Sequence, residues 1–156
     1  MTVQRELGGA RTGARLRRGR WGRGSLNVTL PAKPESVATA RREVAAFGAR
    51  LGLDQRQIDD LRTLVSEACT NAAVHAYGSP GGAFELHAVP RRNTIVITVM
   101  DRGGGIRPRP MSARAGGRLG LLLMAALASK VEISERAGGG TKLSLVFSLS
   151  QEPDLA

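Results

Sequence analysis

Sulfur, aromatic rings and long apolar runs are scarce in this chain, and each scarcity removes a class of protein. Cys69 is the one cysteine among 156 residues. It can close no internal disulfide, and no second thiol stands by to hold zinc, so a reducing cytoplasm is the expected setting. Its place inside an amphipathic stretch suits a small packed side chain better than a reactive thiol. Aromatic residues make up 3% of the chain and show no stacking motif, and no helix-turn-helix pattern is present, so direct nucleic-acid binding by the body is not expected. The longest apolar run, LGLLLMAALA at 119–128, falls well short of the roughly 20 residues that a membrane span requires. It reads as a buried helix. No apolar stretch follows Arg17 and Arg18 as it would in a secretory or twin-arginine leader, so no membrane attachment is expected.

Acidic side chains are also in deficit, 13 against 23 Lys and Arg, which leaves a net charge of +10. The imbalance is local. Residues 1–24 hold seven arginines against Glu6 alone, a net +6, while the rest of the chain contributes only +4. A Gly- and Arg-rich stretch without apolar periodicity buries too little surface to offset its ordering entropy, and residues 1–24 are expected to form a disordered arm. Such an arm either touches nucleic acid or an acidic partner through charge alone or does nothing specific.

With 42% hydrophobic residues, the chain suits one globular domain with an aliphatic core. The domain is expected over 25–150, with 151–156 as a tail. SLNVTLP at 25–31 alternates Leu26, Val28 and Leu30 and stops at Pro31, the pattern of a half-buried strand. Val37, Ala40, Val44, Phe47 and Leu51 then recur at helical spacing until Gly52, and Asp54 can cap the helix that follows. AFELHAV (83–89) and TIVITVMD (94–101) read as a hairpin around PRRN. Residues 102–118, crowded with glycine and proline, read as a long loop or lid. A short helix from Leu119 to Ala128 and strands at KVEIS and TKLSLVFSL complete the order. Helices and strands do not alternate as βαβ units, so the expected fold is an α/β (α+β) two-layer sandwich, with a mixed, mostly antiparallel sheet and helices on one face.

SEACTNAAVHAY, residues 66–77, poses the functional question. Ile58, Leu61, Val65, Ala68 and Ala72 form the apolar stripe of a packed helix. Glu67, Asn71 and His75 run along its margin at four-residue steps. A row at the edge of a buried face either lines a pocket or forms a solvated flank. Three glycine motifs join it: MDRGGGI sets Asp101 at a strand end ahead of Gly103 and Gly105, GGRLG places Gly120 at a helix start, and GGGT leads into the last strand at Thr141. Glycines at element ends let backbone approach a ligand, which suits a nucleotide. Pro108 and Pro110 argue against a dinucleotide fingerprint, and no P-loop sequence occurs.

In order and distance these motifs resemble the GHKL (Bergerat) ATP-binding fold, and SEACTNAAVHAY is most similar to its anti-sigma-factor serine/threonine kinase branch. The resemblance covers roughly residues 25–150. It implies ATP and Mg²⁺, with Glu67 as catalytic base, Asn71 as the Mg²⁺ ligand and Asp101 as acceptor for the adenine amino group. Gly103 and Gly105 would make room for the base, Gly120 would lie at the phosphate-binding helix start, and Thr141 would support the adenine side through a water. His75 is expected to cap or support rather than catalyse. Arg118 stands where the family shows the first glycine of its second motif, able to contact phosphate or to crowd the turn. The implied partners are a sigma factor and an anti-anti-sigma antagonist protein. Many members are homodimers, and no interface can be chosen from sequence. The alternative is an ATP-binding protein-interaction module of the same fold without significant kinase activity.

Overall fold

The computed structural model describes residues 15–16, 24–75, 82–102 and 115–149. Six strands form one sheet: β1 (Arg15–Leu16), β2 (Leu26–Pro31), β3 (Ala83–Pro90), β4 (Thr94–Asp101), β5 (Lys130–Glu135) and β6 (Thr141–Ser148), in the order β1-β2-β3-β4-β6-β5. Every described pairing is antiparallel, so the parallel component expected of a mixed sheet is absent among these strands. Short hairpin turns, such as the one closed by the Arg91 N–H on the Thr94 carbonyl at 2.7 Å, permit that arrangement. β1 falls inside the segment expected to be a disordered arm. Its backbone pairs with Thr29 and Val28 at the sheet edge.

Alternation decides which face of the sheet is covered. Leu26, Val28 and Leu30 on β2, Phe84, Leu86 and Ala88 on β3, Ile95, Ile97 and Val99 on β4, and Leu143, Leu145 and Phe147 on β6 are all buried on one side. Two 16-residue helices, α1 (Glu35–Arg50) and α2 (Gln55–Thr70), supply the opposing stripe with Ala40, Val44, Phe47, Leu61, Leu64, Val65 and Ala68. Each large side chain so buried contributes roughly 1.5–3 kcal/mol. Truncating Phe47 to Ala at the helix layer would cost about 3–5 kcal/mol.

Local chemistry fixes where these helices end. The Gly52 N–H bonds to the Ala49 carbonyl and the Leu53 N–H to the Gly48 carbonyl, a Schellman closure that Gly52 permits with φ +77°. Asp54 then starts α2 with a capping box: its carboxylate accepts the Gln57 N–H at 2.8 Å, and the Gln57 side chain accepts the Asp54 N–H at 3.0 Å. A Cβ on Gly48 would stand 3.2 Å from Ile58 Cγ1, so α1 and α2 approach closely there.

Two helical expectations need correction. α3 runs Ala115–Leu127, four residues earlier than the apolar run suggested, and helix continues through Gly116 and Gly117 despite their poor propensity for it. Nor is α3 buried all round. Met124 is fully covered, whereas Leu121 and Leu122 remain 48% and 66% exposed. No helix among the described residues is long and apolar enough to cross a membrane.

Candidate nucleotide and phosphoryl-transfer site

α2 does not continue as a regular helix to Ala76. From Asn71 to His75 it winds as a π-helix, a local widening frequent at functional sites. Serine and threonine mark the approach: Ser66 Oγ donates to the Arg62 carbonyl and Thr70 Oγ1 to the Ser66 carbonyl, each at 2.7 Å. Those hydroxyls share acceptors with the helix ladder just before the winding changes. The widened turn packs on β3 and β4. It leaves Ala72 and Ala73 buried and Asn71 exposed. The four-residue step that relates Glu67 to Asn71 therefore does not extend unchanged to His75. Ala76 and the His75 side chain lie outside the described residues.

Glu67 is half-buried on the last α-helical turn, and its carboxylate lies against α3. A Cβ built on Gly120 would stand 2.5 Å from Glu67 Oε2. Glycine is what allows this approach, since any side chain there would displace the carboxylate. Gly120 is not at a helix start, as the sequence suggested. It is the sixth residue of α3, one turn and a half inside the element.

Asp101 ends β4 in phase with Ile95, Ile97 and Val99, so an acid occupies a position that alternation assigns to the covered face. It is 6% exposed and is the one charged side chain buried among the described residues. Burying a carboxylate is costly unless it is hydrogen-bonded. The β5–β6 turn supplies part of that bonding. The Thr141 N–H donates to Asp101 Oδ1 at 3.4 Å, and Arg136 Nη1 donates to the Asp101 carbonyl at 3.2 Å. Gly138, Gly139 and Gly140 all have positive φ, and a Cβ on Gly140 would collide with the Asp101 carbonyl and stand 2.7 Å from Arg102 Cα. The glycine run thus brings the turn onto the end of β4.

The structure therefore groups Glu67 with Gly120, and Asp101 with Thr141 and the glycine turn. The π turn bearing Asn71 continues α2 beyond Glu67 and packs on β3 and β4. Gly103 and Gly105 lie outside the described residues, as does the Arg118 side chain, although Arg118 belongs to α3. Arg136 was missed from sequence, because a lone arginine in a turn carries no periodic signal. A separate cavity of about 280 Å³ opens on the face of the sheet opposite the helices, between Thr29, Glu85, Met100, Arg102 and Arg136.

The donor set suits a phosphate-bound magnesium ion better than a caged metal. Among the described residues no cluster of three His, Cys, Asp or Glu could hold a metal. Mg²⁺ on a nucleotide keeps waters and phosphate oxygens and asks the protein for only one or two oxygen ligands, such as the exposed Asn71 amide.

A family model described as the histidine kinase-like ATPase domain matches residues 30–147. The chain is 34% identical over 129 residues to the anti-sigma F factor of Clostridium acetobutylicum, covering 76% of this chain and 89% of that relative. It is 32% identical over 143 residues to the serine-protein kinase RsbW of Bacillus pumilus, covering 81% and 87%. Among solved structures it is similar to the histidine kinase domain of a blue-light activated histidine kinase from Erythrobacter litoralis, with a TM-score of 0.54 and 24% identity. That match covers 79% of this chain and spans 63% of the other, and it bears on the fold alone.

Proposed function

Since the chain belongs to the histidine kinase-like ATPase domain family, we propose that it is an anti-sigma regulatory factor with ATP-dependent serine/threonine kinase activity. It sequesters a sigma factor in the cytoplasm and phosphorylates a serine or threonine of an anti-anti-sigma antagonist. As in many members of the family, a second copy of the chain is a further partner. The domain occupies 25–150, with 1–24 as an arm whose Arg15–Leu16 pairs on the β2 edge and 151–156 as a tail.

The observation that most supports a kinase is the half-buried Glu67 carboxylate set against Gly120, one turn from the exposed amide of Asn71. Glu67 takes the proton of the attacking hydroxyl as its oxygen bonds to the γ-phosphorus and the bond to the ADP oxygen breaks. Asn71 would hold Mg²⁺ through its amide oxygen, and the ion when bound neutralises charge on the phosphates. Asp101 accepts a hydrogen bond from the exocyclic amino group of adenine, which favours ATP over GTP. Thr141 keeps that carboxylate oriented through its N–H. Gly103, Gly105 and Arg118 complete the nucleotide site in this reading, with the arginine directed to phosphate.

One observation favours the module without kinase activity: Arg118 occupies α3 where the family pattern has glycine. Retention of cytosolic proteins on the tagged full chain, with ATP and with ADP, tests the regulatory role. A sigma factor among the retained proteins is expected, and its absence under both nucleotides would contradict the assignment.

A further inference from the structure

Where the β4–β6 ladder ends, side chains replace backbone partners. The last paired residues are Met100 and Lys142. Continued by one step, the ladder would leave Asp101 beside Thr141, but the Thr141 N–H goes instead to the Asp101 carboxylate and the Asp101 carbonyl receives the Arg136 guanidinium. Arg136 is itself fixed in the turn, since its N–H bonds to the Gly140 carbonyl and its carbonyl accepts the Gly139 N–H, both at 3.0 Å. The two ends of the connection are thereby fastened to one residue, at its carboxylate and at its carbonyl.

Arg136 lines the 280 Å³ cavity with Thr29, Glu85, Met100 and Arg102, on the side of the sheet opposite the helices. The Asp101 side chain projects to the opposite, covered side. The guanidinium therefore holds the backbone of Asp101 without lying on the nucleotide face.

We infer that Arg136 is a positioning residue for base recognition: by holding the Asp101 carbonyl and the glycine turn together, it sets the direction of the Asp101 carboxylate and hence the preference for adenine. The inference rests on Asp101 being the adenine acceptor. A charged donor on a carbonyl is among the stronger hydrogen bonds, and its loss frees both the strand end and the turn.

Calorimetric titration of the full chain with ATP and GTP tests this, using Arg136→Ala, Arg136→Lys, Asp101→Ala and the double Ala variant. Arg136→Ala is expected to weaken ATP roughly 3- to 10-fold and to leave GTP affinity where it was, with the loss in turnover falling on KM for ATP rather than on kcat. Arg136→Lys, which retains a cationic donor, should recover much of the preference and keep the inference testable should the alanine variant fold poorly. In the Asp101→Ala background the second substitution should add nothing. Equal weakening of both nucleotides, or additive losses in the double variant, would overturn the inference while leaving Asp101 as the adenine acceptor. No effect of Asp101→Ala on ATP would remove that acceptor, and the inference with it.

Discussion

Gly120 on α3 and Glu67 on α2 are in direct contact: a methyl group at Gly120 would stand 2.5 Å from Oε2 and 3.5 Å from Cδ of the glutamate. The position of the proposed base is therefore set by the absence of a side chain on the facing helix. Gly120→Ala should separate activity from stability. Glu67 can swing its flexible end away, and alanine gains about 1 kcal/mol of helix propensity, so the melting temperature should change by only a few degrees. A base displaced by about 1 Å should slow phosphate transfer on the order of 10- to 100-fold. Transfer assays beside thermal melts check this; an unimpaired rate would show that Glu67 needs no help from Gly120.

Asn71 is exposed and begins the π turn, so its removal should spare the fold, with a stability change within about 0.5 kcal/mol. Its amide oxygen is the proposed Mg²⁺ ligand. ATP affinity measured with and without Mg²⁺ should show a clear advantage for the ion in the native chain and little in Asn71→Ala. An unchanged advantage would move the metal to another residue.

Cys69 is wholly buried next to the polar row, and burial raises its thiol pKa strongly. Alkylating reagents should leave it untouched in the folded protein and modify it in denaturant, as measured by mass spectrometry. The unfolded thiol ionises above about pH 8.5 while the native one stays protonated, so the unfolded chain binds fewer protons there and stability falls as pH rises, by at most about 1.4 kcal/mol per pH unit. Cys69→Ala should flatten that part of the melting profile. Rapid alkylation of the native thiol would show that α2 opens locally.

Legibility followed periodicity. β2, β3, β4 and β6 declared themselves by alternation, and α1 and α2 by stripes ended or begun by Gly52 and Asp54, because those signals are repeated along the element. Asp101 could be singled out as an acid in the phase of buried Ile95, Ile97 and Val99. The rest depends on contacts that sequence does not express. The early start of α3 at Ala115 runs through two glycines that argue locally against helix. The π turn at Asn71 is a shift of hydrogen-bond partners with no residue type of its own. Arg136 reaches a carbonyl 35 residues away in sequence, and only the closed sheet brings the two together.

Glu67 carries the central claim, and Glu67→Gln tests it most directly because it retains the size of the side chain against Gly120 and removes its ability to take a proton. With labelled ATP and the antagonist protein, the variant should bind ATP as the native chain does while phosphate transfer to serine or threonine falls by about 10²- to 10⁴-fold. Equal transfer by both proteins would remove Glu67 from catalysis, and transfer by neither, with ATP still bound, would contradict the kinase assignment itself.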